Sequence, residues 1–130
     1  MKFKKGIALF VLTAAAALGA VFALNAKVSN NPTESIIGYV RDSECVYRFH
    51  EIVKPLPNGC VEACVRGGSS LVILTKQEEV YHPISPEMPA KDIRSKLLPF
   101  VGKLVKMSGT IYSRGGAKAI AVERIEELKE

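Results

Sequence analysis

All three cysteines of this chain and one of its two histidines fall in the stretch Asp42 to Gly67, DSECVYRFHEIVKPLPNGCVEACVRG. The spacing is C-x4-H-x9-C-x3-C. Three thiolates and an imidazole make a closed tetrahedral set suited to zinc. A soft, thiolate-rich set also suits copper(I). Cys45, His50, Cys60 and Cys64 are therefore candidate metal ligands. Asp42 is placed to orient His50 as a carboxylate behind the ligand. The spacing matches no common zinc-finger pattern, and without C-x-x-C-H no covalent c-type haem is indicated.

The same cysteines support two other chemistries. Cys45 paired with Cys60 or Cys64 would staple the segment to a helix, at a typical gain of about 2–4 kcal/mol. The odd count then leaves one thiol over, which points to a metal, a reactive group or a partner bridge. Cys60 lies in the first turn of a predicted helix, where the helix dipole favours a thiolate, so a redox role is the third reading. His82, next to Tyr81 and Pro83, reads as a strand-end residue. Ser43, Ser69 and Ser70 have no triad partners at a matching spacing, and Gly67-Gly68 reads as a helix stop rather than a phosphate loop.

Several short elements must position these residues. Ser35 to Asp42 reads as a first strand, in which Gly38 marks a bulge or sharp bend. From Ser43 to Pro57 the pattern breaks. Asn58 or Gly59 can cap a helix over Cys60 to Arg66, which places Cys60 and Cys64 on one face. Leu71 to Thr75 and Glu79 to His82 form a hairpin. Pro83, Pro86 and Pro89 make a loop, and Ala90 to Leu98 is a helix with Ile93, Leu97 and Phe100 on one side. Val105, Met107, Gly109 and Ile111 alternate with polar residues along a strand. Arg114-Gly115-Gly116 turns the chain into a last strand with Ile120 and Val122 inward. Five short, bent strands with a helix between the third and fourth predict a mainly β chain, an OB-like small barrel.

The first 26 residues, MKFKKGIALFVLTAAAALGAVFALNA, carry Lys2, Lys4 and Lys5 ahead of an uncharged run from Gly6 to Leu24. That layout is a secretory signal peptide, with cleavage after Ala23 allowed by its small residues. The run also approaches the roughly 20 residues of a membrane span, so a retained N-terminal anchor is the other outcome. Either way residues 27–34 read as a linker and 35–130 as the working domain, in the periplasm or outside the cell, free or anchored to the inner membrane. The chain has 18 basic and 13 acidic residues, and three of the lysines belong to this segment. The domain is thus only mildly basic, which disfavours nucleic acid as a partner. Tyr39, Tyr81 and Tyr112 are the candidates for base stacking should such a groove exist.

DSEC, the downstream His50, CVEACVRGGSSLVIL and GKLVKMSGTI together resemble a group of small exported bacterial proteins of no established activity. The resemblance covers roughly Gly38 to Ile125. It implies an OB-like fold with a cluster at Cys45, His50, Cys60 and Cys64, and it supplies no reaction. The leading expectation is a non-enzymatic exported domain that binds zinc or copper. The alternatives are a disulfide-stapled module for an oligomer or protein partner, and a thiol redox protein.

Overall fold

The computed structural model describes residues 32–49 and 58–129. The leading segment 1–26 and His50 lie outside the described residues. The chain runs β1 (Thr33–Asp42), α1 (Ser43–Arg48), α2 (Asn58–Arg66), β2 (Leu71–Thr75), β3 (Val80–Ile84), α3 (Arg94–Leu97), a 3₁₀ turn (Leu98–Phe100), β4 (Leu104–Arg114) and β5 (Ala117–Glu127). The strands close into a barrel in the order β1-β2-β3-β5-β4, with β4 returning to β1. Every pairing is antiparallel except β3 with β5. This is the expected OB-like barrel, with helices after β1 and between β3 and β4.

Closure depends on two glycines. At Gly109 the β4–β5 register slips, and a Cβ there would lie 1.9 Å from the Ala121 carbonyl oxygen. At Gly38 a Cβ would meet the Leu74 carbonyl oxygen at 2.7 Å. Both strands bend where only a bare backbone lets the neighbour approach so closely. The β4–β5 hairpin turns through Gly115 and Gly116, both at positive φ, the geometry that two-residue hairpin loops favour.

The core is apolar and continuous. Ile36 and Val40 of β1, Ile73 of β2, Tyr81 of β3, Val105 and Met107 of β4, and Ile120 and Val122 of β5 are buried together. Val61 and Val65 of α2 join them, as does Leu97 of α3. Ile93 and Phe100 pack against the same cluster, so the predicted helix face is correct although its helix is shorter. Asp92 accounts for the late start: its carboxylate accepts from the Arg94 N–H and from the Ser95 hydroxyl, a local turn that competes with helix.

Three other boundaries differ from expectation. Thr33 and Glu34, read as the end of the linker, already pair with Thr110 and Gly109. Strand β3 continues through Pro83. Beyond Tyr81 that strand pairs only with β5, and a strand with one neighbour tolerates a missing donor. The third difference is α1, in a segment read as irregular; its cause lies in the site.

Candidate metal centre

The polypeptide between β1 and β2 carries every cysteine. Its two ends are register partners, Asp42 opposite Leu71, so the excursion leaves and re-enters the barrel at one place. Asp42 ends β1 and caps α1: its Oδ1 accepts the Cys45 N–H at 2.9 Å. Glu44 lies in the first turn and Arg48 in the last, where each sign suits the helix dipole. They also pair across one turn, Nε to Oε2 at 3.1 Å. These three residues supply the helix that the proline-bearing sequence concealed.

Helix α2 turns Val61 and Val65 into the core. Cys60 and Cys64 each precede one of these valines, so they lie about 100° around the helix from the buried stripe. Cys64 is half-buried and Cys60 exposed. The helix ends in a Schellman motif: Ser69 N donates to Cys64 O at 3.1 Å, Gly68 N to Val65 O at 3.2 Å, and Gly68 takes φ 102°.

These elements bring Asp42, Cys45 and Cys64 together. One potential ligand atom from each lies within 4.8 Å of the others. The Cys45 and Cys64 sulfurs are 3.9 Å apart. Two thiolates bound at about 2.3 Å in a tetrahedral site would be about 3.8 Å apart. Asp42 is fully buried, and its Oδ2 has no hydrogen-bond partner among the described residues. A buried carboxylate oxygen without a donor is costly unless a cation or hydrogen bond satisfies it.

Burial pushes the Cys45 thiol up to about 12, with further contributions from the hydrogen bond and charge of Asp42 and then from Cys64. The proton is thus favoured on Cys45 in the metal-free site, and a bound cation would shift that balance toward the thiolate. Arg41 is also fully buried nearby. Burial lowers its pKa, while the charges of Asp42, Cys45 and Cys60 act in the opposite sense.

The structure thus groups Cys45 and Cys64 of the candidate ligands. Cys60 is exposed and outside the group of three, and His50 lies outside the described residues. Asp42, expected to orient His50, shares the group with both sulfurs. One sequence signal for this is the D-S-E-C run after a strand. An N-cap aspartate bonds the backbone of the third helical residue, and here that residue is a cysteine. His82 lines a shallow groove with Ser43, Glu44, Tyr47, Arg48 and Ser70. Tyr39 and Tyr81 are buried while Tyr112 is exposed, so the three tyrosines form no common stacking surface. Comparison with known proteins finds no matching family model, no matching curated protein and no matching solved structure.

Proposed function

We propose that this chain is a small exported binding domain that holds one thiophilic metal ion, zinc or copper(I), between α1 and α2. Cys45, Cys64 and Asp42 are the ligands in this reading, and Cys60 or His50 completes the coordination. The observation that carries it is the pair of sulfurs 3.9 Å apart beside a buried carboxylate oxygen with no partner among the described residues. Zinc accepts this mixture of sulfur and oxygen ligands, and copper(I) favours the sulfurs. Metal analysis of the full chain, purified from the periplasm without chelator, tests the proposal together with a thiol count. About one equivalent of metal that is lost in Cys45→Ala supports it. Metal-free protein that also fails to take up zinc or copper(I) after reduction sinks it.

A second reading rests on the same sulfurs. Oxidation of Cys45 and Cys64 would staple α1 to α2 and leave Cys60 as the exposed thiol. The barrel would then present a disulfide-braced surface to an oligomer or protein partner. An intact mass short of two hydrogens, with Cys60 alone open to alkylation, favours this reading over the first.

A further inference from the structure

We infer that Arg94 is the positioning residue of the two-thiol site: it holds the C-terminal turn of α2 and, through Ser69, the start of α1, so that the Cys45 and Cys64 sulfurs stand at binding separation before any ion arrives. The inference rests on the metal reading above for its consequence, although the positioning itself can be measured without metal.

Arg94 is half-buried and comes from α3, far along the chain from both cysteine helices. Its Nη1 donates to the Ser69 carbonyl at 3.0 Å, and its Nη2 donates to the Val65 carbonyl. One planar guanidinium therefore bridges both sides of the Schellman turn that follows Cys64. A lysine, with a single compact ammonium, cannot reproduce that fork.

Ser69 carries the constraint onward. Its N–H donates to the Cys64 carbonyl. Its hydroxyl meets the Ser43 hydroxyl at 3.3 Å and accepts the Glu44 N–H at 3.4 Å. Ser43 N also donates to the Ser70 carbonyl at 2.8 Å. Ser43 and Glu44 are the two residues before Cys45. A continuous path of hydrogen bonds thus runs from Arg94, through the turn after Cys64, to the turn that carries Cys45. Helix α1 has no buried residue, so its place beside α2 is set by polar contacts rather than by core packing.

The test uses the full chain, reduced and metal-free at the start, with Arg94→Met and Arg94→Lys. Zinc affinity is measured by competition with a chromophoric chelator, and thiolate-to-cobalt charge-transfer absorption reports sulfur ligation by cobalt(II). In a Cys60→Ser background, equilibration with glutathione reads the effective concentration of the Cys45–Cys64 pair with no metal present. Arg94→Met is expected to lower zinc affinity and the disulfide equilibrium constant by at least about tenfold each, and Arg94→Lys to fall between it and the parent. The denaturation midpoint of the metal-free chain should move little. Unchanged values for both readouts overturn the inference. If the parent binds neither zinc nor cobalt, the metal reading fails and the glutathione equilibrium alone decides the positioning. If Arg94→Met does not fold, Ser69→Ala takes its place, because it removes the relay oxygen and leaves Arg94 intact; no loss of either readout in that variant also overturns the inference.

Discussion

Replacing Asp42 by asparagine separates two roles that the structure gives to one carboxylate. As an N-cap, Asn serves about as well as Asp, so α1 should persist. As a charge, Asp42 raises the Cys45 thiol. A unit charge within 4.8 Å, at an effective dielectric of about 20, acts on a thiolate with about 3.5 kcal/mol. Cys45 is only half-buried, and solvent screening reduces this to about 1–2 kcal/mol. Asp42→Asn should therefore bring the Cys45 thiol down from about 12 and ease the removal of its proton by roughly tenfold. If Asp42 is only a cap, easier thiolate formation makes the variant bind zinc as tightly as the parent or more tightly. If Asp42 is a ligand, the loss of an anionic oxygen outweighs that gain, and affinity falls by at least about tenfold. The deficit should stay constant from pH 6 to 9, because both thiols titrate above that range and proton competition eases equally for each as pH rises. Chelator competition from pH 6 to 9 measures it, with thiolate absorbance followed in parallel. Equal or tighter zinc binding by Asp42→Asn across that range would refute the ligand role.

Further outcomes follow from the same geometry. The Cys45 thiol is raised in the folded state above its ordinary value to about 12, so the metal-free fold favours the proton there. Its stability should hold below about pH 9 and decline as the pH rises toward 12; the decline should be shallower in Cys45→Ala, as urea midpoints would show. Exposed Cys60 should react with iodoacetamide before Cys45 in the metal-free chain near neutral pH, and peptide mapping that finds Cys45 labelled first would contradict the site's electrostatics. Gly109→Ala should destabilise the fold by about 3 kcal/mol or more, because overpacking meets backbone rather than a movable side chain. A near-parental denaturation midpoint would show that the bulge can relax.

The barrel was legible because its signals are local and agree with one another. Alternation in β4 and β5, the Arg114-Gly115-Gly116 turn and the apolar run at Leu71–Thr75 each specify a strand. Gly38 and Gly109 mark the places where it must bend. The site was legible only in part. The cysteines announced themselves by residue type, and the i, i+4 spacing on α2 suggested that Cys60 and Cys64 act together. The structure groups Cys64 with Cys45 and leaves Cys60 exposed, because Cys64 lies a turn further along α2, next to the Schellman turn whose Ser69 meets the start of α1; that contact is long-range and left no mark in the cysteine spacing. Helix α1 leaves little trace in the sequence because it spans six residues with none buried, so it has no apolar periodicity, and its one cue is the Asp42 cap. Arg94 carried no sequence signal, for its acceptors are backbone carbonyls more than twenty residues away.

The two cysteine-bearing helices are not equally bound to the barrel. Helix α2 plugs the core with Val61 and Val65, whereas α1 contributes no buried residue. Local opening costs least where few apolar contacts must break. Swinging α1 away about its hinge at Asp42 would carry Cys45 off Cys64 while the strands stay paired. Exchange of a bound ion would then run on the timescale of one short helix detaching, and the ion's lifetime could be tuned through Ser43 and Ser69 without touching the stability of the barrel. Amide hydrogen exchange would register this as fast protons over residues 43–48 above a slow-exchanging sheet, with the two rates drawing together as the ion loads.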